Sequence, residues 1–138
     1  MKLPELRGIL QYVTRFRDKV FVIAINGEIL ESENFPNILL DIAVLRSLNI
    51  KVVLVHGAAS QIQQAAAQRG TPVSNIDGTG VIDATTLQLS IDVGIRLTNG
   101  IMEGLTQVDL RAAYANCIIA HPAGIIHGVD YQFSGKVE

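Results

Sequence analysis

The chain has no tryptophan, a single cysteine and few charges, with Asp, Glu, Lys and Arg together only 17% of its 138 residues. Each scarcity excludes something. One cysteine, Cys117, cannot close an internal disulfide, which fits a reducing compartment. With 11 basic and 13 acidic side chains the formal net charge is −2, so there is no basic footprint for nucleic acid and no acidic tail. The longest apolar run, Val20 to Ile25, falls far short of the ~20 residues that a membrane helix needs. The opening MKLPELRGIL carries Glu5 and Arg7 among its apolar residues and does not read as a signal peptide. A soluble cytoplasmic protein of one domain, with no membrane and no nucleic-acid partner, is the expectation.

What is abundant is aliphatic. Hydrophobic residues make up 49% of the chain, mostly Ala, Val, Ile and Leu, as in a sheet covered by helices on both faces. Val20 to Ile25 (VFVIAI) and Lys51 to His56 (KVVLVH) are apolar at successive positions, the pattern of strands buried on both sides. Between them lies an Asn26-Gly27 turn, then Ser32, Glu33 and Asn34 as caps for a helix from about Phe35 to Leu48, with Asn49 as a left-handed stop. Two apolar strands joined through a helix predict a parallel crossover. Gly57 opens a second turn, and Ser60 is placed to cap a helix from Gln61 to Arg69, ended by Gly70 and Pro72. That helix is rich in Ala and Gln and rests more on propensity than on an apolar face.

Around this unit the pattern is looser. Pro4 to Asp18 has helical spacing with two adjoining apolar stripes, which either pack on the same domain or dock on another subunit. Asp77-Gly78, between apolar flanks, predicts a small hairpin or an edge loop. Asp83 caps a helix from Ala84, and Gly94, Gly100 and Gly104, each costing ~1 kcal/mol relative to Ala, predict two helices with a kink near Gly94. Val108 to Ala115 fits helix or strand equally. Cys117 to Ala120 predicts a short buried strand closed by His121-Pro122, and the Gly-rich end reads as a hairpin or loop.

Chemistry, if any, belongs at the two turns. Gly27 and Gly57 follow strands of an open parallel sheet, at the edge where small anions settle, and glycine lets backbone N–H groups approach a phosphate or carboxylate. Turns need glycine anyway, so the signal is weak by itself. His121, His127 and Asp130 match no standard metal spacing and read as loop residues. His56 reads as a satisfied, partly buried histidine, Cys117 as a small hydrophobe, and Asp83 first as a helix cap. No Ser/His/Asp set, Walker-type loop or paired-cysteine site is present, so no metal or cofactor is expected in this chain.

The stretch FVIAINGEILESENFPNILLDIAVLRSLNIKVVLVHGAASQI resembles the N-terminal half of the amino-acid kinase family, most of all the kinase-like domain of the N-acetylglutamate synthases. VIDATTLQL and the tail CIIAHPAGIIHGVDYQFSGKVE, with GVDY and SGK as its telling pieces, are similar to the same group. The resemblance runs over roughly Leu6 to Glu138. It implies an α/β fold, a three-layer αβα sandwich with a mostly parallel sheet, of which this chain is the N-terminal half. Residues 1–19 are then an N-terminal helix and oligomer contact, and residues 20–138 a partial kinase-like domain. In the synthases a separate acetyltransferase domain moves acetyl from acetyl-CoA to glutamate in arginine biosynthesis, while the kinase-like domain carries feedback control by arginine and holds the oligomer together.

The residues depart from the kinase pattern where phosphoryl chemistry needs them. The family's strand lysine is Ala24, and its Gly-Gly turn is Asn26-Gly27-Glu28, so a stabilising cation is missing and Glu28 would repel phosphate. The His-Gly-Gly-Gly turn is His56-Gly57-Ala58-Ala59, and the arginine before the family's Val-Thr-Asp is Gly80, leaving Val81-Ile82-Asp83. The expectation is a non-catalytic regulatory or oligomerisation domain of a synthase-like protein, a homo-oligomer without the acetyltransferase domain in this chain. Two alternatives stand beside it. One is a small-ligand site for arginine, glutamate or N-acetylglutamate on Asn26, Gly27, Gly57, Ala58, Ala59 and Asp83; the other is the N-terminal part of a split acetylglutamate kinase.

Overall fold

Strand β1 (Val20–Ile25) and strand β2 (Lys51–His56) form a parallel ladder whose register runs from Val20 opposite Lys51 to Ile25 opposite His56. The computed structural model describes residues 13–74, 80–116 and 118–137. The ladder is continued at both ends, by Lys51 N–H donating to Lys19 O at 2.8 Å and Gly57 N–H donating to Ile25 O at 3.0 Å. Both strands therefore finish level, and their turns open side by side.

Three helices follow from the chain between and after these strands. A short helix α1 (Gly27–Leu30) starts directly off β1, so Asn26-Gly27 begins a helix rather than a free turn. Helix α2 (Phe35–Ser47) has Pro36 in its first turn and stops where Asn49 takes φ 60°, the left-handed stop expected from the sequence. Helix α3 (Ala59–Arg69) starts earlier than predicted: its N-cap is Ala58, and Ser60 lies inside the first turn. It ends at Gly70, φ 60°, whose N–H bonds back to the Ala66 and Ala67 carbonyls.

Helix α4 (Ala84–Gln107) corrects the expectation of two kinked helices: its 24 residues are continuous. Leu89, Val93, Ile101 and Leu105 form its buried stripe, and that tertiary packing outweighs glycine's propensity cost. Gly104 is where α2 and α4 come closest, and a Cβ there would press on Leu39 Cδ1 at 2.7 Å. Leu39 and Ile42 of α2 join Ile101 and Leu105 of α4 in one core, and Ile23, Val52 and Leu54 of the strands pack against it. A second cluster, Ala66 with Leu89 and Val93, fastens α3 to α4.

The chain is thus α/β, with parallel strands and a helical crossover, as its sequence pattern implies. The strands nevertheless alternate in burial. Val20, Val22, Val53 and Val55 are 57%, 68%, 47% and 46% exposed, which corrects the reading of strands buried on both faces among the described residues. The reason is that α2 and α4 both cover the face carrying Ile23, Val52 and Leu54.

Residues 110–116 form neither helix nor strand, and the tail folds into small antiparallel pairs. Strand β3 (Ala120–Pro122) pairs with β6 (Gly135–Val137), and β4 (Ile125–Ile126) pairs with β5 (Val129–Asp130). The β4–β5 turn has His127 at φ 51° and Gly128 at φ 80°, the double left-handed geometry of a two-residue hairpin. The predicted buried strand at Cys117 to Ala120 is corrected: Ile118 and Ile119 are 66% and 76% exposed, and the strand begins at Ala120. Ser134 ties the tail back, donating to the Gly80 carbonyl and accepting from Ile82 N–H at 3.1 Å. Residues 13–16 are helical and Arg17 and Asp18 form a turn, with Asp18 at φ 63°, so the first helix ends before its predicted Asp18; its residues 4–12, the Asp77-Gly78 hairpin turn and Cys117 lie outside the described residues.

Candidate functional site

The level ends of β1 and β2 bring Asn26, Gly27, Gly57, Ala58 and Ala59 together, five of the six residues singled out from sequence. Gly27 is buried, and a Cβ on it would stand 2.9 Å from Gly57 O. Only glycine permits that approach. Asn26 is exposed, makes no side-chain cap to α1, and its Oδ1 lies 4.0 Å from where a Gly57 Cβ would stand.

Asp83 is elsewhere. His56, at the top of β2, meets Thr98, which is 15 residues along α4 from Asp83, or roughly 22 Å of helix at 1.5 Å per residue. The Asp83 carboxylate accepts from Thr86 N–H at 2.7 Å and caps α4. That amide bond, with the Thr86 side chain adding to it, holds the carboxyl below its ordinary range. Asp92, one turn further on than Gln88, is lowered chiefly by the Gln88 amide and then by Arg69, whose guanidinium lies 3.4 Å away.

His56 is a satisfied histidine. Its Nε2 lies 3.0 Å from Thr98 Oγ1, and that hydroxyl spends its own proton on the Gly94 carbonyl at 2.9 Å. The imidazole is therefore the donor at Nε2, and it joins the end of β2 to the middle of α4.

One residue of the site was not legible in the sequence. Gln61, the third residue of α3, is 7% exposed and reaches between the turns. Its Nε2 donates to Gly27 O at 2.8 Å, and its Oε1 accepts from Ser60 Oγ at 2.9 Å. Read as a propensity residue in an Ala/Gln-rich helix, it carried one signal: it is an amide three positions after the Ala58 that begins the helix without a polar cap.

The chemistry available is narrow. No Lys or Arg lies in residues 24–28 or 56–61, so the turns themselves supply no cation to neutralise charge developing on a transferred phosphoryl group. Glu28 is exposed beside Gly27. His121 sits in β3, His127 in a hairpin turn, and Asp130 Oδ1 accepts from Gln132 N–H at 2.9 Å. Among the described residues no three His, Cys, Asp or Glu side chains are placed to hold a metal ion. No described helix is long and apolar enough to cross a membrane. A groove of 530 Å3 between α2 and α4 is lined by Phe35, Leu39, Leu40, Leu97 and Gly104 among others and includes none of the turn residues.

Comparison with known proteins agrees with this geometry. Residues 19–126 match the model of the amino acid kinase family. An amino-acid acetyltransferase of Pseudomonas fluorescens is 37% identical over 98% of this chain and 34% of its own length. That of Vibrio cholerae is 39% identical over 91% of this chain and 30% of its own length. The structure of N-acetylglutamate synthase from Neisseria gonorrhoeae complexed with coenzyme A and N-acetyl-glutamate superposes with a TM-score of 0.82 at 26% identity, over 99% of this chain and 32% of that one. The same synthase complexed with coenzyme A and L-arginine gives 0.81 at 25%, over 100% and 34%. The chain spans about a third of the length of these relatives.

Proposed function

The chain belongs to the amino acid kinase family, and from that premise we propose that it is a non-catalytic regulatory and oligomerisation domain of an N-acetylglutamate synthase-like protein. The observation that carries this reading is the state of the two turns. The fold that brings them together is kept, while a cation at the turns is absent and the space between them is taken by Gln61. A domain selected for phosphoryl transfer would keep the cation, which cannot be dispensed with at a developing phosphate charge.

The bare valine face supports the other half of the reading. Parallel sheets are covered on both sides in nearly all proteins, so a chain that leaves Val20, Val22, Val53 and Val55 exposed belongs in a larger assembly. The acetyl transfer from acetyl-CoA to glutamate then lies in a further domain of that assembly.

Two measurements test the proposal. Incubated with ATP and N-acetylglutamate, the chain forms no acyl phosphate; turnover above background would refute the non-catalytic part. In sedimentation at micromolar concentration it runs as a discrete oligomer, and a monomer would refute the assembly part.

A second reading, a regulatory amino-acid site, is favoured by one observation: the matched synthase was solved with L-arginine. Calorimetric titration of the chain with L-arginine tests it, and absence of heat ends it for this chain alone.

A further inference from the structure

We propose that Gln61 is an internal latch, which bridges the two turns with the chain's own carboxamide and holds α1 down on α3. The inference rests on the proposed reading of the two turns and deepens it, by saying what the Gln61 contact does there.

Gln61, Thr86 and Ser134 are buried polar side chains. Thr86 and Ser134 make their bonds around the start of α4 and the tail. Gln61 makes its bond across 34 residues of sequence, from the first turn of α3 to the carbonyl of Gly27 at the head of α1. Both ends of its amide are engaged, the NH2 as donor to Gly27 and the oxygen as acceptor from Ser60. A buried amide satisfied at both ends is costly to release, because either partner left alone in the cleft bears the full desolvation penalty.

Gly27 is the other half of the device. A Cβ at that position would stand 2.5 Å from Gln61 Oε1 and 2.9 Å from the Gly57 carbonyl oxygen, so a side chain at residue 27 presses on the seated carboxamide and on the facing turn together. The closed form therefore needs both residues: glycine to make the seat, glutamine to fill it. Anything that enters between the turns, and any motion that separates α1 from α3, must first break the Gln61 to Gly27 bond. The contact is autoinhibitory in that sense, a closure made within the chain.

Hydrogen exchange of single amides tests this. The reporters are Ile29 N–H, bonded to Asn26 O at 3.0 Å, and Ser32 N–H, bonded to Ile29 O at 3.1 Å. Gln61→Leu keeps the volume and removes the polar head, and it raises exchange at Ile29 and Ser32 by about tenfold while Val53 and Leu54 in β2 keep their protection. Gly27→Ala accelerates the same two amides at least as much with the carboxamide intact, because its Cβ displaces Gln61 Oε1 and also presses on the Gly57 carbonyl. The double variant is no faster than Gly27→Ala alone, since that substitution already breaks the Gln61 contact. Unchanged exchange at Ile29 in Gln61→Leu would overturn the proposal. So would equal acceleration throughout β2, which marks a merely structural residue, and so would multiplied effects in the double variant. If Gly27→Ala does not fold, Gln61→Glu decides: it places an acceptor against the Gly27 carbonyl, and wild-type exchange at Ile29 in that variant also overturns the latch.

Discussion

On one face of the two-stranded sheet, Ile23, Val52 and Leu54 press against Leu39, Ile42, Ile101 and Leu105; on the other, Val20, Val22, Val53 and Val55 stand about half exposed or more. The residue types are alike and the surroundings are not. Apolar surface is stabilising in proportion to the area taken out of water, roughly 25 cal/mol per Å2. The same valine-rich strands therefore contribute on one side what they withhold on the other. A run of consecutive apolar residues reports what a strand is suited to pack against, and the described chain supplies one of the two coverings.

The contrast can be broken hardest from the packed side. Leu39→Ala, at a residue 4% exposed between α2 and α4, lowers stability by about 2–5 kcal/mol in urea unfolding, through lost transfer energy and the cavity left behind. Gly104→Ala comes next. Its new methyl presses on Leu39 Cδ1, and overpacking of about 1–3 kcal/mol less the ~1 kcal/mol gained from helix propensity leaves a net loss of about 1 kcal/mol. Gly100→Ala on the same helix has the opposite sign. Nothing lies within 4 Å of its added Cβ, so the helix gains up to about 1 kcal/mol, read as a higher Tm. Val22→Thr on the bare face changes the stability of this chain by no more than about 0.5 kcal/mol. In a longer protein that covers the face, the same substitution costs more than that; equal cost in both would remove the distinction between the faces.

Acid sharpens the comparison from a different side, without touching either face. The Asp83 carboxyl is held below its ordinary range by the Thr86 amide at the start of α4. Its folded value lies below its unfolded one, so its contribution is full above about pH 5 and is lost as pH falls through the carboxylate range. Asp83→Asn keeps a capping oxygen and does not titrate. Its unfolding profile between about pH 5 and pH 3 is flatter than that of the parent, and parallel profiles would disprove the assignment.

Much of the packed half was legible in the sequence. The bounds of both strands, the helix after Phe35, the left-handed Asn49 and the Asp83 cap follow from local preferences that the fold leaves undisturbed. The continuity of α4 was not legible, because glycine's cost is local while the stripe that offsets it, Leu89 to Leu105, is rewarded by distant partners in α2, α3 and the strands. The bare strand faces were hidden for a related reason: composition shows what could be buried, and topology decides what is. At the turns, the glycines were visible and Gln61 was not. A helix-forming residue and a buried latch look the same until the two turns are level.

Ser134 has a consequence in time as well as in space. Its hydroxyl fastens Gly80 and Ile82, the residues that lead into α4, across more than half a hundred residues of chain. During synthesis β1, α2 and β2 can close on one another as soon as they emerge. The approach to α4 has to wait, and is fastened only when the ribosome has delivered the tail.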